Sequence, residues 1–559
     1  MNEIKAMPLR TKVVLVSLQL LVLSLFTASS PRAQGSVQRP QLAQIQGQTL
    51  NAITNEPVRK VSVSLQSLDV SKAPTAAVTD ANGAFLLRDI EPGRYRLWAE
   101  RNGYVRSGFG AKRAGSPGTV LVVDAGQNLR DLALKIMPQS VITGRVFDAD
   151  GEPVADVRVQ ALAFSYVRGK RQLVADQDCM TNDLGEYRLH GLAPNRYLIS
   201  ASYRPREDSE TRDQLPDSRR DAADFEETYA PTYYPNRTDA ASATPISVTG
   251  GEQVSSLDLT LLRIRTGRIR GKVNGRNVSI VMLFPRDSGG IPITDRNAAT
   301  TPDSQGNFEL HGVAPGSYVL FAQSPEGSAR TPVDVYGSNV NDVNLVITPN
   351  LEVRGRLLSP DGGTVRLGDR RVFVSLQPRD IPLNVPANTV KSDGTFLIPN
   401  APPDTYAVNV RNLPEGYFVK EIRIGPNKLT DGTLNLTGGP TAGYLDVLLS
   451  KSGGELVGTV EEAESHTVPG ATVTLVPEGG NRSALYLYQL TTTDQYGAFS
   501  LKNVAPGEYR VYAWEAIDNG AYFDSDFLKM YKDFGVSLTV EEKSHASLKV
   551  KLIPAGSSQ

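Results

Sequence analysis

The chain is poor in the residues that carry most enzyme chemistry and most covalent cross-linking. Its 559 residues include one cysteine, Cys179, so no intramolecular disulfide can form even in an oxidising compartment. The lack of a cysteine near the N-terminus also argues against the lipid attachment of a bacterial lipoprotein. Four histidines are present, and none is spaced to share a metal ion. His190, His311, His466 and His545 are followed by Gly-Leu-Ala, Gly-Val-Ala, Thr-Val-Pro and Ala-Ser-Leu. Neither His-x-x-Glu nor His-Glu-x-x-His occurs, so zinc hydrolysis is not expected. No Gly-x-Ser-x-Gly elbow and no phosphate-binding Gly-x-x-x-x-Gly-Lys-Ser/Thr loop is found. Cys179 stands just before a turn and reads as a small packed residue, not a nucleophile. We expect no enzyme, no cofactor and no metal site.

Charge of one sign is lacking too. The net charge is −1, and removing residues 1–33, with four bases and one acid, leaves 55 bases against 59 acids, or −4. That balance argues against nucleic acid as a partner, because phosphate-backbone binding needs concentrated positive charge. The basic stretch 263–276 is divided by apolar residues and reads as a solvated strand face. No long apolar run is available to span a bilayer. The best, residues 13–26, is fourteen residues long and follows Lys5, Arg10 and Lys12. With the small residues Thr27-Ala28-Ser29-Ser30 behind it, it reads as a secretory signal peptide covering 1–33. An uncleaved anchor would need a longer segment. The expected location is the periplasm, the outer surface or the extracellular space, with no stable membrane span after cleavage. Helical periodicity is scarce, and 518–534 is the best candidate for a short helix.

What the chain has instead is one pattern repeated five times with unchanged spacing. A turn glycine stands at Gly83, Gly185, Gly306, Gly394 and Gly497. Two residues on is an aromatic (Phe85, Tyr187, Phe308, Phe396, Phe499), and four on an aliphatic (Leu87, Leu189, Leu310, Ile398, Leu501). A proline follows at plus nine (Pro92, Pro194, Pro315, Pro403, Pro506) and a tyrosine at plus twelve (Tyr95, Tyr197, Tyr318, Tyr406, Tyr509). Aromatic-x-aliphatic puts both side chains on one face of a strand. Asp80-Ala81-Asn82-Gly83 and its copies read as turns, with Gly at the positive-φ position. A plain turn is also the reading preferred over a calcium loop, since further carboxylates are lacking. Lys391 stands where Asp80, Asp303 and Asp494 open the turn, so the fourth turn is expected to be shorter or different. Each copy starts with a glycine (Gly47, Gly144, Gly271, Gly355, Gly458) placed just before its first strand.

The frame Gly-x-Val … Asp150-Gly151-Glu152-Pro153-Val154 … Val157-x-Val159, then Asp-x-x-Gly-x-Phe-x-Leu … Pro-Gly-x-Tyr, resembles the carboxypeptidase regulatory-like domain. The resemblance implies a transthyretin-like sandwich of about seven strands, grouped with carbohydrate-binding-like and collagen-adhesin B-type folds. It covers nearly all of the chain after the signal, and implies an accessory module for binding, spacing or scaffolding. No recurring Lys, Glu and Asn set appears, so the isopeptide crosslinks of the collagen-adhesin relatives are not expected.

The expected fold is all-β: five tandem Ig-like or transthyretin-like antiparallel β-sandwich domains after a signal peptide. The boundaries are 1–33 signal peptide, 34–43 linker, then 44–138, 139–264 with an insertion at 204–235, 265–349, 350–450 and 451–555. Linkers are nearly absent, so a curved or extended rod is expected.

Candidate binding residues lie where the copies differ. The position fifteen after each turn glycine faces away from the core tyrosine and is aromatic in three copies: Trp98, Phe321 and Tyr512. Such rings can stack on a sugar; the alternative is packing under a loop or a neighbouring domain. The insertion adds a charged stretch, 204–224, then Tyr229, Tyr233 and Tyr234, as a ligand platform or as an extra strand. The fifth copy adds Trp514, Tyr522, Phe523, Phe527, Tyr531 and Phe534 in a long connection. We expect an exported, non-catalytic binding or structural protein of the cell envelope, with a glycan, another envelope polymer or an envelope protein as partner. The competing expectation is an accessory subunit docking on an outer-membrane transport or secreted enzyme complex through the aromatic loops of the second and fifth copies.

Overall fold

A computed structural model describes residues 41–556, apart from 70–71, 168, 204–225, 287–298, 364, 366, 368–370, 380–384, 386, 415, 441–442 and 463–465. The signal peptide, linker residues 34–40 and the charged stretch 204–224 therefore lie outside the described residues. Antiparallel β-structure dominates, and the all-β expectation holds.

The same strand wiring follows each copy of the repeat. Ala43–Asn51 pairs antiparallel with Ala84–Ile90 and parallel with Asn128–Pro138. Ser140–Phe147, Arg263–Asn274, Leu351–Leu358 and Gly454–Glu461 each have the same two kinds of neighbour. A facing sheet places Ser62–Ser67 between Thr75–Val78 and Gly93–Glu100. Its counterparts centre on Val157–Val167, Ile280–Pro285, Phe373–Pro378 and Thr472–Pro477. Alternating residues from the two sheets meet in large apolar clusters drawn from 43–136, 142–261, 269–345, 351–449 and 456–552.

Every fixed aromatic, aliphatic and tyrosine of the repeat is buried. The tyrosines have a second task. The hydroxyls of Tyr95, Tyr197, Tyr318 and Tyr406 donate to the carbonyls of Glu91, Ala193, Ala314 and Pro402, four residues upstream, at 2.6–2.9 Å. Each thus pins the corner that precedes its own strand.

Two expectations are corrected. The opening glycines lie inside the first strand, opposite the fixed aromatic: Gly47 faces Phe85, Gly144 Tyr187, Gly271 Phe308, Gly355 Phe396 and Gly458 Phe499. The ring needs the space that a side chain would fill. A Cβ on Gly271 or Gly458 would come within 2.8 Å of Cζ of the opposing ring. The fourth turn is not different either. Lys391 N donates to Thr395 O and Gly394 N to Lys391 O, as Asp80 N does to Ala84 O and Gly83 N to Asp80 O. Where Asp80 Oδ1 accepts from the amides of Asn82 and Ala84, Asp393 Oδ1 accepts from Thr395 N and substitutes for the missing aspartate.

A sixth fixed position takes its meaning from the structure. Six residues after each turn glycine the backbone is left-handed: Asp89, Gly191, Gly312, Asn400 and Asn503 have φ between 56° and 81°. Each sits at a bulge where one residue of the first strand faces two of its partner. Asp, Asn and Gly are the types that tolerate this conformation, which explains the composition of the position.

The first and fifth copies are not kept apart, as an extended rod would keep them. Within 41–556 the first and fifth cores' segments touch, although almost four hundred residues separate them. Val120 N donates to Thr493 O at 3.3 Å, in a parallel bridge between Val120 and Asp494. The Gln495 side chain accepts from Val122 N and donates to Val122 O, both at 2.9 Å. Arg113 pairs with Asp518. The second segment joins them, with Tyr166 edge-on to Phe527 at 5.7 Å between ring centroids.

Candidate functional site

Where these three segments meet they leave a cleft of about 590 Å³. The first segment supplies Arg96 from strand Gly93–Glu100 and the loop bearing Lys112 and Arg113. From the second come Phe164 on Val157–Val167, Asp176 on Lys170–Met180 and Tyr197 on Asn195–Tyr203. Threonines 472, 491 and 492, with Asn519 and Tyr522, complete it from the fifth. The volume is within the range of about 300–1,000 Å³ usual for small-molecule sites.

The cleft's carboxylates are all engaged. Asp518 holds Arg113, Asp176 Oδ2 lies 2.9 Å from the Tyr197 hydroxyl, whose one proton it shares with the Ala193 carbonyl, and Glu515 Oε2 accepts from Ala555 N at 3.0 Å. The Arg96 guanidinium is left short of partners. Its Nη2 has a 3.5 Å contact to Thr492 Oγ1, and its enclosed Nε has no acceptor among the described residues. Burial, and then the neighbouring Arg94 charge, lower its pKa from the usual arginine value. Phe164 is 43% exposed, with the Arg171 guanidinium 3.8 Å from its ring centroid.

The residues singled out from the sequence lie elsewhere, and several are not on an open face. Phe321 and Tyr512 are about as buried as the core tyrosines. Phe321 packs edge-on against Phe284, with Met282 and Val319 beside it. Tyr512 stacks on Trp514 at 5.7 Å, and Trp514 meets Tyr531 edge-on at 4.8 Å. The short helix Ser525–Lys529 lies over this cluster, its N-terminus capped by Asp524. Strand alternation does turn these rings away from the core, but a second apolar layer covers them. Phe321, Tyr512 and Trp514 are therefore corrected from stacking surfaces to packing.

Trp98 is half-buried, with the Arg106 guanidinium 4.3 Å from its ring centroid. The insertion's tyrosines serve extra strands. Tyr229 ends Glu226–Tyr229, which pairs with Arg263–Asn274, and its ring is 5.4 Å from Tyr203. Tyr233 pairs with Ser200, and Tyr234 packs on the second core. The aromatic loops of the second and fifth segments thus spend many of their rings internally, which removes much of the surface expected to dock a larger complex.

Cys179 also packs against the second core, and burial raises its thiol pKa, which disfavours a thiolate. Among the described residues no three His, Cys, Asp or Glu side chains cluster as a metal site, and no helix is long and apolar enough to cross a membrane. Sequence reading missed the cleft because its walls come from three distant stretches, none of which carries a motif.

Residues 44–133 match the family model of the carboxypeptidase regulatory-like domain, almost the span of the first core. The serine-aspartate repeat-containing protein D of Staphylococcus aureus (strain Newman) is 28% identical over 166 residues. That match takes in 27% of this chain and spans 12% of the relative's length. Among solved structures, GBS52, the minor pilin of Streptococcus agalactiae, is similar at 13% identity over 42% of this chain and 100% of that one, with a TM-score of 0.23. The Bacillus anthracis TIE protein is similar at 12% identity over 71% and 68%, with a TM-score of 0.16.

Proposed function

We propose that the protein is an exported, non-catalytic structural and binding protein, a scaffold of five repeated sandwich domains that carries a ligand in one composite cleft. The observation that carries this reading is the closure of the first segment on the fifth. It turns a tandem array into a cavity to which three segments contribute. The repeat's fixed residues are spent on turn, core and corner, so binding belongs to residues outside them. Export is supported by the basic and apolar pattern of residues 1–33. A role in the cell envelope accords with the regulatory-like domain at 44–133 and with the partial likeness to a serine-aspartate repeat protein. A polymer of the envelope, such as a glycan, is the partner class we favour.

The test is retention of the purified protein on insoluble envelope polysaccharide and peptidoglycan, beside an Ala114→Trp variant that fills the cleft. Retention by the parent and loss in the variant supports the reading. Equal retention of both would place binding outside the cleft, and a protein found only in the cytoplasm of its native host would remove the exported role.

A further inference from the structure

The charge pattern of the cleft points to the class of its ligand. Three carboxylates line it, and each already has a partner on the protein: Asp518 with Arg113, Asp176 with Tyr197, and Glu515 with the Ala555 amide. Two cations face it without an ion-pair partner among the described residues, Arg96 and Lys112. The surroundings of Arg96 do not compensate its charge. Arg94 lies close by, and Arg96 reaches one hydroxyl at 3.5 Å. A partly enclosed guanidinium without a counter-ion is costly unless an anion joins it, and its planar fork matches a carboxylate.

The rest of the wall suits a hydroxylated body. Ser116, Thr472, Thr491, Thr492 and Asn519 present donors and acceptors, and the exposed Phe164 and Leu490 supply apolar contact. We propose that the cleft binds an acidic oligosaccharide, its carboxylate held by Arg96 and Lys112 and its ring hydroxyls by the threonine-lined wall. This rests on the cleft being the binding site, and goes further by fixing the sign of the ligand's charge.

The experiment is titration calorimetry of the purified protein with trigalacturonate, with the neutral trisaccharide maltotriose and with a sulfated trisaccharide, at low and high salt. Trigalacturonate is expected to bind at one site, at least tenfold tighter than maltotriose, and to weaken with salt. Arg96→Gln and Lys112→Gln should each reduce its affinity by about tenfold, since each removes one charge-assisted contact. Lys112 is exposed, so its variant keeps the test valid if Arg96→Gln proves to unfold. Tighter binding of the sulfated sugar would overturn the carboxylate assignment. Equal binding of maltotriose, or affinity unchanged in Lys112→Gln, would overturn the acidic-ligand inference while leaving the cleft as a binding site, provided Ala114→Trp abolishes that binding. If none of the three sugars binds, the inference falls, and the polymer-retention test decides the wider reading separately.

Discussion

Replacing Gly458 with alanine should selectively weaken the fifth core. Gly458 lies in mid-strand between Phe499 on one neighbouring strand and Leu548 on the other. A Cβ there would fall inside the contact distance of the Leu548 carbonyl oxygen and stand 2.8 Å from Phe499 Cζ and 2.9 Å from Cε1. Neither neighbour can yield cheaply. Phe499 is 3% exposed inside the core, and the carbonyl belongs to a paired strand. Overpacking of this kind costs about 1–3 kcal/mol. A control is available in the same segment. Gly480 has nothing within 4 Å of an added Cβ and needs no left-handed backbone, so Gly480→Ala should be nearly neutral. The chain has two tryptophans, and Trp514 lies buried beside the fifth core. In a Trp98→Phe background, Trp514 fluorescence therefore reports that region alone. With urea m-values of about 1–3 kcal/mol per M, the Gly458→Ala midpoint should fall by roughly 1 M. Coincident curves for Gly458→Ala and Gly480→Ala would refute the claim that the opposing ring and the flanking carbonyl impose glycine.

Gln495→Ala removes both hydrogen bonds to Val122, each worth about 0.5–1.5 kcal/mol, so the Val122 amide should exchange with deuterium about tenfold faster or more. Unchanged exchange would show that the contact between the first and fifth segments does not depend on this side chain. At the left-handed position, Asn503→Gly should be tolerated, whereas Asn503→Ile should cost about 1–2 kcal/mol, read again from the Trp514 urea midpoint. Burial pushes Tyr486 and Tyr488 up to about 12 and holds Tyr187, Tyr197, Tyr406 and Tyr509 higher still. Because these folded-state values lie above the unfolded value of about 10, their stabilising share is complete below that pH and is lost as pH rises through the folded values. Tyrosinate absorbance from these groups should therefore lag behind that of exposed tyrosines and rise with unfolding; a single transition near the ordinary tyrosine pKa would contradict the burial. Asp303 runs the opposite way. The Asn307 side chain, then backbone amides, hold its carboxyl below the usual range, so its contribution is present above about 3.9 and lost as pH falls through the lower folded value. Asp303→Asn should be less acid-sensitive than the parent by circular dichroism, and equal acid sensitivity would count against the turn's role.

The sequence by itself determined the sandwich, because its code is local. A turn glycine, an aromatic two residues on and a tyrosine at plus twelve act within two consecutive strands that cross from one sheet to the facing one, and five unchanged spacings leave few other solutions. Strand alternation likewise told which way Phe321 and Tyr512 point. It could not tell what covers them, since a residue facing away from one core can face a second layer. The left-handed position was legible as Asp, Gly, Gly, Asn and Asn, but its meaning required the register of the opposing strand. Lys391 leaves the turn unchanged because an amide can be satisfied by a different nearby carboxylate, here that of Asp393. Only the tertiary structure decided that the first segment meets the fifth and that Arg96 faces a cleft without a counter-ion among the described residues. Contacts such as Gln495 to Val122 join residues whose separation in sequence carries no periodic signal, and their energies depend on domain orientation, which no local pattern encodes.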